Sequence, residues 1–222
     1  MLNGPRGFFV TIEGIDGAGK STLADTIEAS GMIAGRPVHV VRKDSSCGDG
    51  YIASHARGLK NILWGEQSEQ HRAAISDMHW LWLASSWFAL IEQIEIEPRL
   101  NAGFVVVTDS WFYKILARFL LKAPLVAEQA ITIARALRRP ECTILLDVCP
   151  EVAAARKQVF GYSECGNFDG LRGRNRGNFV KYQSAVRASY LRLADENQWI
   201  KVAEPMGAED FSRHILTYTS KK

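Results

Sequence analysis

Residues 8–22 read FFVTIEGIDGAGKST, and this stretch decides the fold. Phe8 to Glu13 form a short apolar, partly β-branched run with the character of a buried strand, and glycines follow it at once. From Ser21 to Ser30 the spacing turns helical. Gly14, Gly19, Lys20 and Ser21 satisfy G-x-x-x-x-G-K-[ST] at the strand-to-helix junction that this phosphate-binding loop requires. Glycines let the backbone wrap closely enough for its N–H groups to surround a phosphate, and the helix that follows presents its positive end to the same anion. Lys20 adds a mobile point charge. Ser21 supplies a hydroxyl of the kind that ligates Mg²⁺, a hard cation that prefers oxygen and is held jointly by protein and nucleotide. Gly14, Gly17, Ala18, Gly19, Lys20, Ser21 and Thr22 are therefore the candidate ATP-binding residues. The alternative, a glycine-rich turn that binds nothing, is disfavoured by the placement.

Outward from this loop the chain alternates. Further strand-like runs lie at Pro37 to Arg42, Gly103 to Thr108 and Thr143 to Asp147, with a weaker one at Trp199 to Ala203. Helical spacing fills Ile52 to Trp64, Asp77 to Glu97, Trp111 to Lys122 and Lys181 to Asn197. Apolar strands alternating with helices predict an α/β fold of the P-loop NTPase type, a parallel sheet covered on both faces, with chemistry gathered just after the strands. Residues 1–222 read as one domain. The glycine-rich, polar interruption from Gly161 to Asn178 reads as a mobile loop.

Composition agrees. A chain of 222 residues with 47% hydrophobic and 23% charged content can bury a sizeable core. A formal charge of +3 is too mild for a dedicated nucleic-acid binder, and small anionic ligands are sufficient partners. Cys47, Cys142, Cys149 and Cys165 show no C-x-x-C spacing, so neither zinc nor a disulfide framework is expected. His39, His55, His71, His79 and His214 match no metal-binding spacing. Phe8, Phe9 and Val10 are too short a run for a signal peptide, and no segment reaches membrane-spanning length, which predicts a cytoplasmic protein without membrane contact.

With its flanks, FFVTIEGIDGAGKSTL resembles the N-terminus of thymidylate kinases, within the nucleoside-monophosphate kinase group. TILLDVCPEVAAARK and YQSAVRASYLRLADEN are similar to that family's fourth-strand segment and late helix, so the likeness spans nearly the whole chain. The resemblance implies a five-stranded parallel sheet, ATP with Mg²⁺, a monophosphate acceptor and an arginine-bearing lid at about residues 161–178. It leaves a homodimer as an open option. Arg172, Arg174 and Arg176 fall on alternate lid residues, and Arg174 best matches the family's catalytic arginine. A guanidinium closing over the transferred group would stabilise charge on its equatorial oxygens. Solvated basic loop residues are the plainer alternative.

On the acceptor side, the resemblance implies that Asp16 contacts the acceptor sugar hydroxyl and helps orient arginines, that Arg42 faces the acceptor phosphate, and that Asp109 helps hold Mg²⁺ with Ser21 or aligns the acceptor. Departures cluster here. The family's Asp-Arg-Tyr or Asp-Arg-Phe reads Asp109, Ser110, Trp111; its base-reading arginine segment aligns with Ser86, Trp87 and Phe88; Lys43, Asp44, Ser45 and Ser46 replace Glu-Pro-Gly-Gly. Lys114 and Arg118 add cations on the next helix. Either they supply the missing phosphate contact, or the acceptor is a different molecule; lysine offers a point charge where arginine offers a planar fork. The run MHWLWLASSWF could stack a ring or simply build core. Glu13 could reach the Mg²⁺ shell through water, or pair with a cation. The leading expectation is transfer of the ATP γ-phosphate, with dTMP as default acceptor and Lys20, Asp109 and Arg174 catalytic. The alternatives are a kinase for a modified nucleotide, a nucleoside or another small molecule, and a silent nucleotide-binding switch.

Overall fold

A computed structural model describes residues 6–43, 50–65, 74–203 and 205–219. The chain runs β1 (Phe8–Glu13), α1 (Lys20–Ser30), β2 (Met32–Ile33), β3 (Arg36–Val41), α2 (Gly50–Trp64), α3 (Asp77–Ile91), a π-helical segment Glu92–Ile96, α4 (Glu97–Asn101) and β4 (Val105–Thr108). It continues through α5 (Tyr113–Phe119), α6 (Pro124–Ala136), β5 (Cys142–Leu146), α7 (Pro150–Ala155), a 3₁₀ turn Ser163–Cys165, α8 (Arg176–Asn197), β6 (Ile200–Val202) and α9 (Ala208–Thr219). Cys47 and His71, and the Asp44, Ser45 and Ser46 of the altered acceptor segment, lie outside the described residues.

The sheet order is β2-β3-β4-β1-β5-β6, and β3, β4, β1, β5 and β6 are mutually parallel. Every residue of β4 and β5 is buried, as are Phe9 to Glu13 of β1. Burial of successive residues, whose side chains point to opposite faces, means that both faces of the central sheet are covered.

The expected five-stranded sheet gains a sixth, antiparallel edge strand. Ala34 and Gly35 both have positive φ (51° and 75°), the pattern of a tight primed hairpin turn, and they pair Met32–Ile33 with Arg36–Pro37. Two residues are too few to leave a period, so this strand was invisible in the letters. The helix expected to end at Glu97 instead runs on through a π-helical segment into α4, and Pro98, which has no N–H to continue the ladder, stands just past that segment. Helices α6, α7 and α9 were not foreseen.

The core reaches the carboxyl ends of the strands as a chain of aromatic edges. Phe9 meets Trp111 edge-on at 5.3 Å, Trp111 meets Phe88 at 5.0 Å, Phe88 meets Trp87 at 4.9 Å, and Trp87 meets Trp64 at 4.8 Å. Within the tryptophan-rich run, then, Trp87 is core, whereas Trp82 is exposed to solvent.

Candidate active site

Between β1 and α1 the chain wraps as the motif demands. Gly14 has φ +147°, and a Cβ there would stand 2.7 Å from the Leu146 carbonyl oxygen, so only glycine fits. Gly19 caps α1 at φ +99° with no side-chain bond and open space before it, which leaves the first N–H groups of the helix free for an anion. The Lys20 ammonium folds back on the Gly14 and Ile15 carbonyls at 2.8 and 2.9 Å. Burial, with Lys114 adding repulsion, pushes its pKa down to about 8 against the pull of Asp16, Asp109 and Glu13.

Asp109 follows β4 directly, and its Oδ2 accepts a hydrogen bond from the Ser21 hydroxyl at 2.5 Å. A hydroxyl and a carboxylate side by side at the head of α1 are hard oxygen donors of the kind Mg²⁺ takes alongside nucleotide phosphates. Next to them Ser110 is held at φ +94° with its buried Oγ unbonded, a strained position of the sort found at functional sites.

Asp16, within the same phosphate loop, is the centre of a second cluster. Its Oδ1 receives Lys114 Nζ at 2.7 Å, and its Oδ2 receives Arg118 Nη2 and, at 3.2 Å, Gln183 Nε2. Burial alone would raise its pKa, but the charges of Lys114, Arg118 and Lys20 outweigh that and hold it well below the carboxylate range. Gln183 was missed by sequence reasoning. It is fully buried, accepts from the Asp16 backbone N–H, and donates to the Glu164 carbonyl, so one α8 side chain ties the phosphate loop to the lid. The signal was there: Phe179, Tyr182, Val186 and Tyr190 make an apolar helical stripe, and Gln183 is the amide inside it.

One cleft of about 770 Å³ gathers these groups, from Lys20, Ser21 and Asp109 to Lys114, Arg118 and Trp87. Lys43 overlooks it, with Nζ 4.7 Å from the Trp64 ring centroid. Arg42 lines the cleft too, but its guanidinium is drawn back onto Asp25 and Glu28 of α1, at 2.6 and 2.8 Å, instead of facing inward.

The lid arginines are placed differently from expectation. Arg172, Arg174 and Arg176 are exposed and absent from the cleft lining, and Arg174 Nε is bonded to the Phe160 carbonyl at 2.8 Å. The guanidinium that does stand at the phosphate loop is that of Arg156, just past α7, with Nη1 3.4 Å from the Ala18 carbonyl oxygen. Lys157 lies beside it, paired with Glu164. Only the general rule that chemistry follows the strands pointed to Arg156. The segment from Gly161 to Asn178 is bonded within itself: Asn167 bonds Tyr162 and both backbone groups of Gly173, and Asn178 bonds the Arg172 carbonyl.

Beneath the loop, the Glu13 carboxyl group is held by neutral donors and makes no ion pair among the described residues. It accepts from the Trp111 N–H at 2.7 Å and from the Thr11 and Tyr190 hydroxyls. Burial pushes its pKa from 4.5 to about 7, only partly offset by these bonds and by Lys20. The folded state thus keeps a proton that the unfolded chain releases, and loses stability as pH rises from 4.5 to 7. Glu13→Gln removes this titration. Its stability relative to the parent is expected to improve across that window by up to on the order of 3 kcal/mol. Urea unfolding at about pH 5 and about pH 8 reads the difference, and an equal gap at both would refute it.

The parallel sheet, the phosphate loop and the cleft beyond the strand ends define a P-loop kinase. The thymidylate kinase family profile matches residues 12–215. A probable thymidylate kinase of Thermococcus gammatolerans is 28% identical over 214 residues, covering 95% of this chain and 94% of that one. The thymidylate kinase of Solidesulfovibrio magneticus is 31% identical over 196 residues, 84% and 85% of the two chains. The solved thymidylate kinase of Candida albicans shares the fold at TM-score 0.61 and 18% identity, over 97% of this chain and 92% of that one. The chain belongs to the thymidylate kinase family.

Proposed function

We propose that the chain transfers the γ-phosphoryl group of ATP to a nucleoside monophosphate, with dTMP as the acceptor its family supplies by default. The observation that carries this reading is one cleft that holds both the anion-binding loop and, beside it, the Asp16–Lys114–Arg118 cluster. A phosphate oxygen of the acceptor attacks the γ-phosphorus, the bond from that phosphorus to the β–γ bridging oxygen breaks, and ADP leaves with the electron pair.

The residues divide the work. Gly17, Gly19 and Thr22 line the cleft where the donor phosphates sit, Gly14 and Ala18 shape the loop behind them, and Lys20 exchanges its two carbonyls for phosphate oxygens. Ser21 and Asp109 would hold Mg²⁺, which when bound neutralises charge on the β- and γ-phosphates. Asp16 fixes Lys114 and Arg118, whose remaining N–H groups meet the acceptor phosphate. Arg42 joins them only after leaving Asp25 and Glu28. Arg156 steadies the donor phosphates, and the lid delivers Arg174, flanked by Arg172 and Arg176. Residues 1–222 act as one kinase domain. A cytoplasmic location fits the family, and among the described residues no helix is long and apolar enough to cross a membrane.

Ser110 standing where the family has its phosphate-binding arginine favours a second reading, an altered acceptor. ADP release measured over nucleosides, nucleoside monophosphates and non-nucleotide acceptors decides. Turnover confined to monophosphates is the expected result. Turnover of nucleosides instead would replace the reading, and tight ATP binding with no acceptor at all would favour a switch.

A further inference from the structure

Between β4 and α5 the chain passes through Asp109, Ser110, Trp111 and Phe112, and the turn is pinned on both sides. Before it, Thr108 is matched with Thr11 across the β1–β4 pair, and its hydroxyl donates to the Thr11 hydroxyl at 3.0 Å. After it, Trp111 donates its backbone N–H to Glu13 Oε1 at 2.7 Å and its ring N–H to the Arg138 carbonyl at 3.0 Å, while Phe9 and Phe88 meet the indole edge-on. Asp109 and Ser110 must bridge these two fixed points, and Ser110 does so at φ +94°. A residue with a Cβ keeps such a conformation only where its surroundings over-determine it.

The indole contacts fix the Trp111 side chain, yet they leave the peptide between Ser110 and Trp111 free to rotate as a rigid plane. Its N–H is held by Glu13, and that bond sets the ψ angle of Ser110. Glu13 itself cannot follow a moving turn. Its carboxylate is fully buried and also takes the Thr11 hydroxyl at 3.0 Å and the Tyr190 hydroxyl at 3.0 Å, which tie it to β1 and to α8. On the far side of the strained residue, Asp109 accepts from the Ser21 hydroxyl. Glu13 also adjoins Gly14, so one residue is bound to the phosphate loop through the chain and to the Asp109 turn through a hydrogen bond.

We propose that Glu13 is a positioning residue for Mg²⁺: by accepting the Trp111 N–H it holds the Asp109–Ser110 turn so that Asp109 faces Ser21. The proposal rests on the reading of Ser21 and Asp109 as the Mg²⁺ donors. What Glu13 supplies is an acceptor oxygen in a fixed place, and its charge is not required. Glutamine carries the same oxygen for Trp111 and Thr11, and its amide can donate to the Tyr190 oxygen with the direction of that bond reversed. Leucine fills the space but leaves all three donors unpaired and the turn unheld. Groups that orient a metal ligand from behind are typically worth about 10–100-fold in metal affinity.

The test is the Kd for ATP of the full chain, titrated once with Mg²⁺ and once with EDTA, for the parent, Glu13→Leu and Glu13→Gln. Mg²⁺ should tighten binding to the parent. Glu13→Leu should lose about tenfold or more of that tightening, with its Kd in EDTA within about threefold of the parent, and Glu13→Gln should recover most of the loss. If Glu13→Leu fails to fold, Glu13→Leu/Ser110→Gly is compared with Ser110→Gly. Glycine takes φ +94° without strain, so the fold depends less on the anchor, while the freed turn should still lose the tightening. Equal weakening with Mg²⁺ and with EDTA would mark a purely structural role, and Glu13→Gln as impaired as Glu13→Leu would mean that charge is what matters; either overturns the proposal, as does a Glu13→Leu that gains from Mg²⁺ as the parent does. A parent indifferent to Mg²⁺ overturns the Ser21–Asp109 reading as well.

Discussion

Lys20→Met should lower kcat/KM for ATP by about 10³-fold while leaving the ligand-free protein folded. The size of the loss follows from what one preorganised cationic donor contributes when negative charge spreads over a transferred phosphoryl group. The stability side is less obvious and can be argued from the surroundings of Lys20. Its ammonium is buried, repelled by Lys114, and depressed in pKa from 10.5 to about 8. Below pH 8 the folded state carries the full cost of that charge, and the cost fades as pH rises towards 10.5. Methionine removes it but strands the Gly14 and Ile15 carbonyls, at about 1–3 kcal/mol for each one left without a partner. The two effects oppose each other, so stability at neutral pH should change by no more than about 2 kcal/mol. Above about pH 9 the parent should gain on the variant. Urea unfolding against pH, run beside the coupled assay, measures both; activity within tenfold of the parent would remove Lys20 from the mechanism.

The donor end was legible because it is contiguous. Strand, glycines, lysine and serine lie within residues 8–22, and each has a local physical reason to stand where it does. The acceptor end is assembled from residues far apart in the chain. Asp16 meets Lys114 and Arg118 across about a hundred residues, and Gln183 across 167. Asp16 could be carried over from a family resemblance and Lys114 and Arg118 stood out as departures from it; that these two cations and the Gln183 amide converge on one carboxylate could not be read from any spacing. Arg42 illustrates the opposite failure. Its place after β3 was as expected, but Asp25 and Glu28 lie on the neighbouring helix and capture its guanidinium. The central strands were legible for the same reason as the loop, being continuous apolar runs, whereas β2 depends on the two positive-φ residues of one turn.

Arg156 and Arg174 should separate cleanly in kinetics. Arg156 stands at the phosphate loop before any nucleotide arrives, beside the Gly17 and Ala18 carbonyls. A group already in place contacts donor phosphates in the ground state as much as in the transition state, so its removal raises KM more than it lowers kcat. Arg174 is exposed and tied to the Phe160 carbonyl, and that bond must break before the guanidinium can reach the cleft. A contact made only on closure acts mainly on the transition state, and arginines delivered in this way are worth about 10³–10⁵ in kcat. Arg174→Ala is therefore expected to lower kcat by at least about 10³ with KM for ATP within a few-fold of the parent, and Arg156→Ala to raise KM for ATP by about tenfold or more with a smaller loss of kcat. Arg174→Lys tests whether charge or the planar fork matters, and should recover only part of the rate. If Arg156→Ala instead carried the loss in kcat and Arg174→Ala were silent, the phosphate loop would already hold its catalytic arginine, and closure of residues 161–178 would serve to exclude water and not to complete the site.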